Sequence, residues 1–335
     1  MGRRMGIDFG TSYIRIFAEP DGIVLRAPSV VALDKRTREV IATGGDAKRM
    51  LGKTPSGILA YRPIKESTVA EFDAAARMLE LFLHKLKAVS FFSHPKILLS
   101  APLQITEVGQ MALENVALEA GARSVAVVEA PLAAAVGAGL RVNAARGCML
   151  MDFGGGMTEM AVISSGGIVC SNSSRACGDR IDTVIQNYLR LRRNILVGES
   201  TAEYIKRELA TALPGINRGS MRVSGLHVRT GLACTVTVTG GEIFEAIRGM
   251  LNSLARSAVA TIEQTPPDIA ADIFDYGLLL TGGGSQIPGM AKFLSRAVGV
   301  RVVVAREPLD CVAMGLGKLL RTPRLISQEP RYRFR

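Results

Sequence analysis

The sequence predicts an α/β fold built twice, as two lobes around a cleft, and three observations carry that prediction. Ile7-Asp8-Phe9-Gly10 returns as Met151-Asp152-Phe153-Gly154, and each copy ends one β-like run and opens another. Ile14-Arg15-Ile16-Phe17 follows the first copy and Thr158-Glu159-Met160-Ala161-Val162-Ile163 the second, so each tetrapeptide is the incoming strand of a hairpin. Third, Gly277-Leu278-Leu279-Leu280-Thr281 reads as a buried strand and Gly282-Gly283-Gly284 as a tight turn. Ser285 then reads as an N-cap, with Pro288 near the start of a helix that ends near Val298.

A turn built from Gly10-Thr11-Ser12, with Tyr13 following, or from Gly154-Gly155-Gly156 lets backbone N–H groups converge on phosphate oxygens. Asp8 and Asp152 then face one centre, where two carboxylates repel unless a cation lies between them. Mg²⁺ suits that position, because it keeps much of its water and needs only one or two carboxylates besides the phosphates. Neither the Rossmann nor the P-loop glycine pattern occurs in the chain. The three glycine clusters are far apart and must meet in space, and the ligand they suit is ATP or GTP with Mg²⁺.

Composition is consistent with that reading. At 335 residues the chain exceeds the usual single-domain size, which calls for two cores, and 48% hydrophobic residues can fill them. Five cysteines, Cys148, Cys170, Cys177, Cys234 and Cys311, are odd in number without C-x-x-C spacing, favouring reduced cytoplasmic thiols over a disulfide frame or zinc site. His84, His94 and His227 are too scattered to suggest a histidine metal site. No signal-peptide pattern and no uninterrupted apolar run near about 18 residues is visible, so no membrane-spanning segment is expected. A net charge of +11 calls for an acidic partner, nucleic acid or anionic lipid, and no motif that reads DNA is present.

Further segments carry a family resemblance. Ala27-Pro28-Ser29-Val30-Val31, Tyr61-Arg62-Pro63-Ile64-Lys65, Val69-Ala70-Glu71-Phe72-Asp73, Glu129-Ala130-Pro131, Thr265-Pro266-Pro267 and Pro308-Leu309-Asp310-Cys311-Val312-Ala313 match in order and spacing. With the hairpins they resemble the MreB/Mbl bacterial actins, within the actin and Hsp70-type ATPase superfamily, over nearly the whole chain. The resemblance implies a duplicated actin-like (ribonuclease H-like) fold of four subdomains. It also implies self-assembly into filaments, attachment to the inner face of the plasma membrane, and a part in rod shape through the cell-wall elongation machinery.

On that plan the first lobe covers 1–146, with a core of 1–31 and 67–146 and a small insert, 32–66, suited to protomer contacts. A helix opened by the capping box Thr68-x-x-Glu71 buries Phe72, Ala75, Met78, Leu79 and Phe82 and gives out before Pro95. A strand at 97–100 and a helix after Thr106 stopping at Gly121 follow. An Ala/Gly-rich helix over 129–140 has side chains small enough for close packing at a hinge. The second lobe covers 147–320, with a core of 147–181 and 241–308, an insert of 182–240, and a helix over 309–320 returning to the first lobe; 321–335 is a basic tail. Within the second insert Ser200-x-x-Glu203 reads as another capping box, with Lys206 on the same helix face. Either Glu203 only caps, or Glu203 and Lys206 contact base and ribose as the corresponding family helix does.

Phe91 and Phe92 fall in a loop after Lys85 and Lys87. An exposed apolar pair beside lysines can wedge into a headgroup layer, and in the family this loop touches the membrane; the alternative is that both rings fold onto the core. Arg3, Arg4, Arg321, Arg324, Arg331, Arg333 and Arg335, with Tyr332 and Phe334, concentrate charge at the chain ends, as a second anchor or a solvated tail.

Hydrolysis is where the chain departs from the family. MreB proteins commonly carry Glu-Glu-Pro before the hinge helix and Gly-Gly-Gly-Thr-Thr at the second hairpin, the second Glu and first Thr being associated with the attacking water. Ala130 and Met157 stand there instead, and neither side chain can orient a water or accept its proton. Tyr13 likewise replaces a common Asn. Thr158, a strand neighbour of Met157, points to the opposite face. Two readings stay open: a filament protein with weak ATPase activity, and an active one in which Glu129 positions water. A phosphotransferase resembling the sugar kinases would need a catalytic Asp beside a polar sugar pocket, and no such residue is visible near the hinge.

Overall fold

The computed structural model describes residues 2–91, 93–327 and 333–334. Its two main sheets share one strand order. In the first, Gly22–Pro28, Tyr13–Ala18 and Arg4–Phe9 form an antiparallel meander, extended in parallel by Lys96–Ala101 and Ser124–Glu129. In the second, Gly167–Ser174, Thr158–Ser164 and Cys148–Phe153 form the meander, extended in parallel by Leu278–Thr281 and Val302–Val304. The class is α/β with an internal duplication. The register aligns the copies residue by residue: Asp8 lies opposite Arg15, and Asp152 opposite Glu159.

Helices cover the outer face of each sheet, which is why the parallel strands read as unbroken apolar runs. Phe72–Lys85 buries Met78, Leu79 and Phe82 against Ile7, Ile97 and Leu99 of the first sheet. Gly178–Arg193, Gly240–Glu263 and Met290–Val298 pack Ile181, Ile247 and Leu294 on the second, around Met151 and Leu280. Between the sheets lie Ala130–Ala138 and Cys311–Arg321, whose Leu132 and Leu316 share a core with Leu98 and Leu150. These helices touch backbone to backbone: a Cβ on Gly137 would lie 1.8 Å from the Cys311 carbonyl oxygen, and one on Gly315 would lie 1.7 Å from that of Ala133. Lys318 Nζ, 3.0 Å from the carbonyl oxygens of both Val136 and Gly137, satisfies the end of the first helix.

Two three-stranded antiparallel sheets flank the cleft. One comprises Val31–Asp34, Val40–Thr43 and Ile58–Tyr61 with the helix Gly44–Met50; the other comprises Ile195–Leu196, Ser220–His227 and Ala233–Thr239 beside Glu199–Leu209. Among the described residues no helix is long and apolar enough to cross a membrane.

The structure revises three expected helix starts. Glu66 and Ser67 both have positive φ (47° and 58°), a tight turn that commits Thr68 to the short strand Thr68–Val69 opposite Ile64–Lys65. Its hydroxyl therefore donates to the Lys65 carbonyl, and the helix begins at Phe72 with no side-chain cap. Ser285 lies inside a 3₁₀ turn, Gly283–Gln286, and its hydroxyl donates back to the Gly282 carbonyl at 2.6 Å; the helix waits until Met290, after Gly289. Likewise the helix carrying Glu203 begins at Glu199 after Gly198, which leaves Glu203 one turn too deep to cap it.

Candidate functional site

The shared strand order aims both hairpins into the cleft, where their tips meet. A Cβ on Gly155 would lie 2.0 Å from Ser12 Oγ, and one on Gly156 would lie 2.2 Å from Thr11 Oγ1, so only glycine permits this approach. Ser12 Oγ donates to Asp179 Oδ1 at 3.3 Å across the cleft, and Thr11 Oγ1 accepts from the Ser67 backbone N–H at 2.8 Å. The third cluster closes in from the second sheet, where Thr281 Oγ1 donates to Asp152 Oδ1 at 2.8 Å and Gly282 packs against the Phe153 carbonyl. Around them opens a cavity of 880 Å³, lined by Asp8, Gly10, Thr11, Ser12, Tyr13, Asp152, Gly154, Gly155, Gly156, Gly282, Gly283 and Gly284.

The electrostatics of this centre are strained toward a cation. Burial pushes the Asp8 carboxyl above its usual range, against the opposing pull of Arg15 and Ser100. Burial also raises Asp152, to about 6, and repulsion from Asp8 adds to it. Among the described residues no cluster of three or more His, Cys, Asp or Glu could cage a metal alone. Two partly buried carboxylates at a polyphosphate-sized cavity fit Mg²⁺ completed by phosphate and water. Glu159, opposite Asp152, is nearly fully buried and pushed up to about 8 by desolvation, with the Leu103 backbone N–H donating to it.

Other candidates are placed differently. Glu203 and Lys206 line the cavity but already have protein partners: Lys48 Nζ lies 2.7 Å and Arg207 Nη2 2.8 Å from Glu203, while Lys206 Nζ lies 2.8 Å from Asp182 Oδ2. Ala130 and Met157 face the cavity, whereas Thr158 is fully buried and donates to the Ala176 carbonyl at 2.7 Å. Glu129 is exposed at the head of the hinge helix and is not among the cavity-lining residues; nor is Ser285. Phe91 is 89% exposed. Phe92 lies outside the described residues, as do Arg331, Tyr332 and Arg335 of the tail. Sequence reading missed Arg15, Arg26, Arg62, Asp179, Asp182 and Arg207, all at the cavity. Only the helical spacing of Asp179 and Asp182 after the second hairpin offered a signal for any of them.

This arrangement can be set beside known proteins. The family model described as MreB/Mbl protein matches residues 2–328. The chain belongs to the MreB/Mbl family. The cell shape-determining protein Mbl of Bacillus subtilis (strain 168) is 41% identical over 318 residues, 95% of this chain and 96% of that protein. The cell shape-determining protein MreB of Escherichia coli (strain K12) is 42% identical over 321 residues, 94% and 92% of the two chains. Among solved structures, MreB5 of Spiroplasma citri bound to ADP superposes with a TM-score of 0.91 at 30% identity, covering 97% of this chain and 98% of that one. The MamK double helical filament, at 17% identity and a TM-score of 0.79 over 95% of this chain and 99% of that one, shares the fold. The MreB/Mbl chain described here thus has the actin-like fold.

The buried Glu159 sets a pH dependence. Its pKa is raised to about 8 in the folded protein from 4.5, so the native state holds a proton that the unfolded chain has lost across that window. The stability it contributes is complete below pH 4.5 and lost as pH rises through 8. The melting temperature of the nucleotide-free protein should therefore fall with rising pH over this range, and the fall should be shallower in Glu159→Gln. Equal slopes in the two proteins would refute the assignment.

Proposed function

We propose that this chain binds a nucleoside triphosphate with Mg²⁺ between its two hairpins, hydrolyses it slowly, and assembles into membrane-attached filaments that organise cell-wall synthesis and so help determine cell shape. The observation that carries the reading is the convergence of three glycine clusters and two carboxylates on one cavity. MreB5 of Spiroplasma citri, solved with ADP and with AMPPNP, supports the ligand class, and the shape-determining relatives support the cellular role. Lobes that present different surfaces favour a head-to-tail contact that does not close, hence an open filament. Glu203 and Lys206 line the cavity, and in this reading they exchange their present partners for base and ribose when the nucleotide binds.

Slow hydrolysis rests on what faces the cavity. Ala130 and Met157 do, whereas their chain neighbours Glu129 and Thr158 do not; Glu159, which also lines the cavity, accepts from the Leu103 backbone N–H and is pushed up to about 8 by burial. The water-positioning role of Glu129 therefore finds no support in its placement.

Membrane attachment rests on one end of the first sheet. Ser90 and Ser93 exchange backbone hydrogen bonds and present Phe91 to solvent. Arg4 and Ser124 both pair with Lys96, five residues further on, and Phe334 of the short strand Arg333–Phe334 pairs with Ser124. The N-terminal arginines, the Phe91 loop and the tail strand thus share one end of the sheet, where apolar and basic anchors can act on the same lipid surface.

Three measurements test these statements. Asp152→Asn should reduce the Mg²⁺-dependent gain in nucleotide affinity by about tenfold, the scale of disturbing a metal's hydrogen-bonded shell, and leave Mg²⁺-free affinity nearly unchanged. Equal losses with and without Mg²⁺, by titration calorimetry, would count against the metal. Ala130→Glu with Met157→Thr should raise phosphate release by at least ~10-fold if water positioning is the missing element; wild type as fast as the double variant sinks that idea. Phe91→Ser with Phe92→Ser should weaken flotation with anionic liposomes by roughly tenfold or more, the scale of withdrawing a buried aromatic ring. Undiminished flotation would place the anchor elsewhere.

A further inference from the structure

The two halves of the duplicated fold differ in charge at one equivalent position. Opposite Asp152 stands Glu159, but opposite Asp8 stands Arg15. The Arg15 side chain is only 12% exposed and lines the cavity, with Nη1 3.4 Å from Asp8 Oδ2 and Nε 3.3 Å from Asp310 Oδ1. Asp310 is itself gripped by Arg26, the neighbour of Arg15 on the next strand, with Arg26 Nε at 3.1 and 3.2 Å and Nη2 at 2.7 Å. Asp8, Arg15, Arg26 and Asp310 therefore form one continuous row of alternating charge beside the hairpin tips.

One atom in this row is unaccounted for. Arg15 Nε is buried and makes no hydrogen bond, because its approach to Asp310 has ion-pair distance without hydrogen-bond geometry. Nε thus faces Asp310, and the part of the guanidinium set beside Asp8 on the cavity lining, Nη1, is the end that a ligand's phosphate oxygens can approach. Guanidinium also keeps its charge at every accessible pH and matches phosphate oxygens with a planar fork of donors.

We propose that Arg15 is a built-in cation of the phosphate centre, offsetting Asp8 and donating to a phosphate oxygen of a bound nucleoside di- or triphosphate, so that nucleotide binding depends less on a divalent ion than two carboxylates alone would require. Asp310, held by Arg26, is the positioning residue that keeps the guanidinium at the hairpin. The proposal rests on the nucleotide reading above and adds to it the source of part of the compensating charge. Arg26, Arg62, Lys206, Arg207 and Arg306 also line the cavity, but among the described residues Arg15 is the one that pairs with Asp8. It fixes one positive charge in place before any ligand arrives.

The test is the ratio of ADP affinity in Mg²⁺ to that in EDTA, by titration calorimetry on the full chain, for wild type, Arg15→Gln, Arg15→Lys and Asp310→Asn. In Arg15→Gln the ratio should rise about tenfold over wild type, the scale of one charge-assisted hydrogen bond, because affinity falls mainly in EDTA. Arg15→Lys keeps the charge and should restore a ratio near that of wild type even if absolute affinity is lower. Asp310→Asn should give an intermediate ratio. Melting curves for each variant check folding, and the Lys variant carries the comparison if Gln does not fold. Equal ratios for wild type, Gln and Lys overturn the Arg15 assignment alone, whereas a wild type that binds ADP in neither buffer overturns the nucleotide reading with it.

Discussion

The contact on which the rest of the molecule depends is the crossing of Ala130–Ala138 and Cys311–Arg321, where Gly137 and Gly315 bring two helix backbones together. Each sheet is a complete α/β layer with its own core, and nothing in either layer dictates where the other sits. The crossing does so, because backbone contact leaves no side-chain volume to absorb a change of angle or spacing. Leu98 of the first sheet and Leu150 of the second share the core around these helices, so the sheets are registered through them. The meeting of Gly155 and Gly156 with Ser12 and Thr11 at the far side of the cleft follows from that registration.

Duplication then creates an electrostatic problem that each half, taken alone, would not have. A carboxylate at the end of a first strand is ordinary; two of them brought to one partly buried centre are not. The structure answers differently on its two sides. Beside Asp8 it places Arg15, while beside Asp152 it places Glu159, which burial keeps protonated at neutral pH, together with the Thr281 hydroxyl. Charge at the centre is thereby trimmed by a cation on one side and by neutralisation on the other.

What the sequence disclosed follows the range of the interactions involved. Both hairpins, the Gly282 turn and the two aspartates were legible because strand periodicity and glycine placement are local signals. Family resemblance supplied the fold. Capping boxes misled at Thr68 and Ser200, since the local pattern is also compatible with a two-residue strand or with the first turn of a helix that begins earlier. The long-range partners, Lys48 for Glu203 and Asp182 for Lys206, were invisible, because they come together only in the folded lobes. Arg15 read as one polar position in an alternating strand, and its neighbour Asp310 lies 295 residues away by number (310 − 15), a separation no periodicity can bridge.

Closure of the cleft is carried by charge pairs as well as by glycine. Lys48 pairs with Glu203 and Arg62 with Glu199, each joining the small sheet of the first lobe to the helix Glu199–Leu209 of the second. Lys48 also lies 5.3 Å from the Tyr13 ring centroid, so the pair touches the first hairpin directly. Lys48 and Glu203 are mostly buried, 22% and 15% exposed, so losing either partner is costly unless another charge takes its place. The hinge helices cannot yield in that way. The lobes are thus joined by a backbone crossing that no ligand charge can replace and by ion pairs in which a charged ligand group can stand in for the partner it displaces.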